Sequence, residues 1–200
     1  YDMEISGGTY AALGSLQVEN SLKLTGGSLD PGSHTHWVAG NWDDSAAGFQ
    51  AGAGTIVLTG AGPTIKSKAG NFFSALTLSS GGSLSSNIRV KKGLKIGGGN
   101  LSAGVYDITI EGDWENSVGS GGFSAGTGTV IFENKNQISR ILGSTTFRNL
   151  TVSSSQGGKV LKFGAGKTQK ITGTVSISGS TWTRARTAAG SASRAASLTL

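Results

Sequence analysis

Residues 18–42 read VENSLKLTGGSLDPGSHTHWVAGNW, and residues 90–114, 72 positions later, read VKKGLKIGGGNLSAGVYDITIEGDW. Nine of the 25 aligned positions are identical: three apolar anchors, four glycines, the closing tryptophan and one lysine, Lys23 and Lys95, whereas the other charges between them vary. That selection marks a structural unit. The register continues at an offset of 74: GFQAGAGTIVL at 48–58 returns as GFSAGTGTVIF at 122–132, and FSALTLSS at 73–80 returns as FRNLTVSS at 147–154. A third, partial copy opens at Ile171, where ITGTVSISG aligns with VKKGLKIGG at 90–98; after Gly179 the signature decays. The reading is one elongated domain over 1–200, with repeats at about 18–89, 90–170 and 171–200. A unit this short does not close a core alone, so copies must stack, and a solenoid follows.

Composition agrees with short strands joined by turns. The chain has 34 glycines in 200 residues, two prolines, and abundant Ser, Thr, Val, Ile and Leu. Strand candidates fall at 21–24, 36–39, 55–59, 75–79, 87–90, 106–111, 129–133, 149–153, 159–163 and 173–178. In LKL, LKI, ITI, LTV, LKF and VSI the apolar residues two apart would face inward, with Lys, Thr or Ser outward. These spacings fit a parallel β-helix with about three strands per coil of 20-odd residues, which makes 72 residues about three coils. A β-sandwich is the alternative, but it does not account for a repeat that keeps inward residues and glycines together.

The succession LxLxGGxL at 22–29, GxW at 40–42, AGTGTVxF at 125–132 and TFxNLTV at 146–152 resembles the repeats of bacterial secreted and cell-surface proteins of the haemagglutinin-like and autotransporter-like kind. The resemblance covers about 18–179. It implies a right-handed parallel β-helix, export to the cell surface, and a role in adhesion or in an extracellular layer or fibre. It implies no catalytic residues and no cofactor.

Several constellations have the residue types for chemistry. Asp43 and Asp44 follow Trp42 in GNWDD, a turn on this reading, and are the weak candidates for a Ca²⁺ site. His34 and His36 are two apart in GSHTHW, with no third His or Cys to complete a metal site. GAGKTQ at 164–169 lacks the first glycine of a phosphate loop and reads as a turn. Trp42, Phe49 and Phe73 recur as Trp114, Phe123 and Phe147, and read as an internal aromatic ladder. Trp37 and Trp182 have no counterparts in the other copies and are the expected exposed contacts for a ligand or neighbour.

The balance of 17 Lys and Arg against 11 Asp and Glu, net +6, favours polyanions, with basic runs at 89–95, 159–170 and 184–194. Acidic polysaccharide is the expected polyanion, since no nucleic-acid-binding module is present. No stretch is apolar enough to span a membrane as a helix, and no cysteine is available for disulfides. The expected job is therefore an extracellular structural protein, a segment of a surface fibre, sheath or adhesin stalk. The alternatives are a carbohydrate-binding surface module and, further off, a polysaccharide lyase-like or ice-binding β-helix. The chain opens at Tyr1 without Met, as a processed or excised piece would, and neither end carries a polar cap. End-to-end self-association, or continuation within a longer chain, follows, with Tyr1, Asp2, Glu4, Arg184, Arg186, Arg194 and Leu200 expected at the junctions.

Overall fold

A computed structural model describes residues 1–49, 51–134, 136–153, 159–178 and 198–199. Every strand pairing is parallel, and the strands stack as a β-solenoid of about eight turns. One 3₁₀ turn, Ser120–Gly122, is the only helical element among the described residues.

Each turn contributes up to three faces. Face 1 begins with Met3–Ile5, Leu22–Leu24, Trp42–Asp44, Thr64–Ser67, Gly82–Leu84, Leu101–Ser102 and Phe123–Ser124, hydrogen-bonded in that order. Thr145–Phe147 packs beneath Phe123–Ser124 and leads a further ladder through Gln169–Ile171 to Leu198–Thr199. Face 2 begins with Thr9–Ala11, Ser28–Asp30 and Gly48–Phe49. Face 3 begins with Gln17–Val18, Thr35–Val38 and Thr55–Leu58. In the fourth and fifth turns single strands, Phe73–Leu78 and Ile88–Ile96, run through the corner between faces 2 and 3. The two halves of Ile88–Ile96 then pair separately, with Ile108–Ile110 on face 2 and Asp113–Asn116 on face 3. Face 2 continues through Thr129–Phe132, Asn149–Ser153 and Val175–Ser178, and face 3 through Ile138–Leu142 and Val160–Phe163.

Alternation sets what the strands between the end turns bury, whereas Ile177 of VSI is exposed and Leu161 and Phe163 of LKF are only half-buried where no further described turn covers them. Leu22 and Leu24 are buried with Lys23 exposed between them, and Leu94 and Ile96 are buried around Lys95. One continuous apolar core runs along the stack from Ile5 to Ile171.

Corners are tight where glycines of successive turns meet. Gly126 has φ of +55° and lies over Gly104, so a Cβ there would overlap Gly104's carbonyl oxygen. Its counterpart in the first copy, Gly52, has φ of +50° and is stacked on Gly32 in the same way. Two demands, left-handed backbone and close approach, select glycine at this step of the AGxG motif.

The repeat does not span three coils, as its length suggested. Leu22 pairs with Trp42, and Thr35 with Thr55, so a turn takes close to 20 residues. From Trp42 the face 1 ladder passes through Ile65 and Leu84 to the strand Leu101–Ser102, three turns on, and Trp114 lies two faces further still, on face 3 beside Leu94 and Ile141. The same shift takes Phe49 on face 2 to Phe123 on face 1, and Val90 on face 2 to Ile171 on face 1. One copy is therefore three turns and two of three faces. Successive copies still meet equivalent neighbours, since Leu22 beside Trp42 recurs as Leu94 beside Trp114 and Leu29 beside Phe49 as Leu101 beside Phe123, so the motif moves round the stack as a unit.

The ten strand candidates all fall on strands, but several short strands went unread, including Trp42–Asp44, Gly82–Leu84 and Phe123–Ser124. Two or three residues between glycines leave too little alternation to detect.

Candidate functional site

The aromatics kept between copies are buried, yet they form two separate triads rather than a ladder. Trp42, Phe49 and Phe73 pack with ring centroids 4.8, 5.4 and 5.6 Å apart. Trp114, Phe123 and Phe147 repeat the arrangement at 4.8, 5.3 and 6.0 Å. A shift of two faces per copy keeps the triads from stacking on one another. Each ring sits edge-on or tilted to its neighbours, the preferred aromatic geometry, and all six are buried.

Asp43 and Asp44 occupy a strand, not a turn, and the pleat points them in opposite directions. They cannot share an ion, and among the described residues no group of three His, Cys, Asp or Glu is placed to hold a metal. Asp43 faces out, bonded to the backbone N–H and hydroxyl of Ser45. It belongs to an outward row, Glu4, Lys23, Asp43 and Lys66, whose charges alternate from turn to turn. Burial pushes its carboxyl up, but the Ser45 bonds and the two lysines outweigh this and hold it below its ordinary value.

Asp44 is fully buried. Its carboxylate accepts from the Trp42 indole at 3.1 Å, the Ser67 hydroxyl at 3.2 Å and the Asn71 amide at 2.7 Å. The second copy reaches the same end without charge: Asn116 stands at the Asp44 position and Thr145 at the Asn71 position. There the Trp114 indole donates to the Thr145 hydroxyl at 3.1 Å, and the Asn116 amide donates to the same oxygen at 3.2 Å. The polar pair thus satisfies each core indole N–H and exchanges as a unit, Asp with Asn and Asn with Thr. Alignment of the copies carries that signal in positions 44 and 116, 71 and 145.

Burial raises the Asp44 carboxyl from 3.8 to about 6 despite these three bonds. The folded state then holds this proton more tightly than the unfolded chain does. Between pH 4 and 6 the unfolded chain is ionised while the fold still holds the proton, so stability falls as pH rises through that window. The full penalty, present above pH 6, is on the order of 2–3 kcal/mol. Wild type is expected to gain stability against urea on going from pH 7 to pH 5 relative to Asp44→Asn. Parallel pH profiles for the two proteins would place the titration elsewhere.

His36 is also buried. Its Nδ1 accepts from the Leu16 N–H at 3.0 Å, which leaves Nε2 to donate to the Pro31 carbonyl at 2.8 Å. His34 lies outside the strand with its ring 6.4 Å away. GAGKTQ is a turn leading into the strand Gln169–Ile171.

Outward charges pair between turns. Arg89 donates to Glu111 through Nε at 3.1 Å and a terminal nitrogen at 2.8 Å, and also pairs with Glu133 one turn beyond. Asn134, at φ of +68°, donates to the other Glu111 oxygen at 2.8 Å. Burial pushes Glu111 up, but these bonds hold it below its ordinary value. Lys159 spans the same edge, donating to the Glu111 and Gln137 carbonyls at 2.7 and 2.9 Å, and burial lowers its ammonium to about 8. Lys95 pairs with Glu115 at 2.9 Å, and Arg140 with Asp113 at 3.4 Å.

Trp37 is 38% exposed, in an outward row between Gln17 and Val57. Trp182, Arg184, Arg186, Arg194 and Leu200 lie outside the described residues, apart from the neighbouring strand Leu198–Thr199. At the first turn, Tyr1 and Leu13 are exposed and Tyr10 is partly so. Asp2 accepts from the Ser21 N–H at 3.0 Å and Glu4 from the Thr25 hydroxyl at 2.7 Å, so both side chains lean on the second turn. Among the described residues no helix is long and apolar enough to cross a membrane.

No family model matches the chain, and no curated protein or solved structure shows significant similarity to it.

Proposed function

We propose that this chain is a non-catalytic spacer, a β-solenoid segment of an extracellular fibre, sheath or adhesin stalk. The observation that carries the reading is the division of labour between the two sides of most of the described strands. Inside, aromatic triads and aliphatic residues fill the stack; outside, ion pairs such as Arg89 with Glu111 and Glu133 join successive turns. Parallel turns held by main-chain hydrogen bonds along one axis suit a load applied along that axis.

Self-association is part of the proposal. Met3–Ile5, Thr9–Ala11 and Gln17–Val18 are each paired on one side only, beside the exposed Tyr1 and Leu13. A parallel strand edge of this kind is a template for β-augmentation. A further turn, from a longer polypeptide or from a second copy, completes it. Glu4 ends the alternating outward row, so a basic residue on the incoming turn extends the alternation. Head-to-tail contacts do not close and so generate filaments.

Sedimentation and negative-stain imaging of the 200-residue chain test this, against a variant lacking residues 1–6. Rods that lengthen with concentration and shorten on truncation are expected. A full chain that stays monomeric at high concentration overturns the self-association. Carbohydrate binding is the second reading, favoured by the exposed Trp37.

A further inference from the structure

Hollows interrupt the outer β-faces, and one of them lies beside the fourth turn. On face 2 the strands Thr9–Ala11, Ser28–Asp30 and Gly48–Phe49 are followed in the fourth turn by a loop, residues 68–72, whose turn is closed by the Asn71 N–H bonding the Lys68 carbonyl at 3.0 Å. Immediately after it the ladder slips: Phe73 pairs with Val90, but Ala75 pairs with Gly93. The loop stands away from the fifth and sixth turns and leaves a groove of about 490 Å³. That is within the size range of small-ligand sites.

The groove joins an aromatic ring, two lysines without a carboxylate partner among the described residues, and neutral polar groups. Phe72 lines it, with the Lys91 ammonium 3.5 Å from the ring centroid, so aromatic surface and positive charge are presented together. Lys68 stands on the loop side and Arg89 on the strand side. One carboxylate, Glu111, reaches the groove, and its oxygens are already taken by Arg89 and Asn134. Among the described residues neither Lys68 nor Lys91 has a carboxylate within ion-pair distance. The charge left unspent is positive. Asn87 and Thr109 add an amide and a hydroxyl on successive turns.

From this we infer that the groove binds an anionic sugar unit of an acidic polysaccharide, its carboxylate or sulfate between Lys68 and Lys91 and its apolar ring face against Phe72. A bare anion would make no use of the ring, and a neutral sugar none of the two lysines. The site adds a ligand to the stalk reading without depending on it, because saturable glycan binding and filament length are read separately.

Calorimetric titration with a defined tetrasaccharide of uronic acid, a sulfated tetrasaccharide and a neutral one tests it. Saturable binding is expected for an acidic probe and none for the neutral one; whichever acidic probe binds more tightly names the anion. Lys68→Ala with Lys91→Ala should weaken binding about tenfold or more, the scale of lost charge-assisted contacts. Lys68 is exposed and Lys91 half-buried, and an unchanged melting temperature shows that the fold is intact. Phe72→Leu should weaken binding several-fold while keeping most of the packing. The charge-matched control Lys167→Ala with Lys170→Ala, and Trp37→Ala, should leave affinity within about twofold. Equal losses in the lysine control would reduce the effect to diffuse attraction by a basic protein and overturn the site. So would loss of binding in Trp37→Ala alone, or equal affinity for the neutral probe.

Discussion

Leu94→Asp is expected to unfold the solenoid at neutral pH, whereas Lys95→Asp, one residue away, leaves it folded. Leu94 is 1% exposed and sits on the face 3 ladder between Leu76 and Trp114. Truncating a buried leucine costs about 2–5 kcal/mol, and the carboxylate introduced in its place would be buried with no partner, which adds several more. Asp44 shows what a carboxylate inside this core requires: three donors converge on it. Around Leu94 the ladder neighbours are hydrocarbon and aromatic. The sum reaches the total stability of an ordinary domain, about 5–15 kcal/mol. Lys95 loses only its exposed pair with Glu115 and gains a like-charged neighbour, an effect within about 1 kcal/mol. Circular dichroism through a urea titration measures both. Equal effects would overturn the assignment of inward and outward residues.

Trp114→Ala is expected to cost about 3–5 kcal/mol, and Trp37→Ala under about 1 kcal/mol. Trp114 is fully buried, touches the rings of Phe123 and Phe147, and donates to Thr145. Its removal empties the centre of a triad and leaves the rings contributed from face 1 without their partner from face 3. Trp42→Ala should behave alike, and the two losses should add, because the triads share no ring. Denaturation midpoints of the two single variants and the double variant decide this. A small loss for Trp114→Ala would mean that the triads do not hold the turns together.

Alternation is a local property, and so it was legible. In LKL at 22–24 and LKI at 94–96 each apolar residue is sent inward by the pleat alone, whatever stacks beside it. The glycines of AGAG and AGTG were legible as corners for a similar reason, since left-handed backbone and close approach exclude other residues at Gly52 and Gly126. The opposed directions of Asp43 and Asp44 follow from the same alternation once Trp42–Asp44 is taken as a strand. Reading GNWDD as a turn concealed them.

Two copies of a sequence, 72 residues apart, are enough to require stacking, and alternation with glycine corners is enough to choose parallel β coils. They do not give the number of turns between copies. That number depends on how many residues each corner absorbs: ladder partners are 18 apart at Ala75 and Gly93 but 27 apart at Trp114 and Ile141. Only the folded stack fixes which face a repeated residue reaches, and hence that conserved aromatics close triads rather than a ladder. The groove is decided at the same level. Phe72, Lys91 and Thr109 lie on three successive turns, and they become neighbours because the loop at 68–72 displaces a strand and hydrogen bonding between turns sets the register.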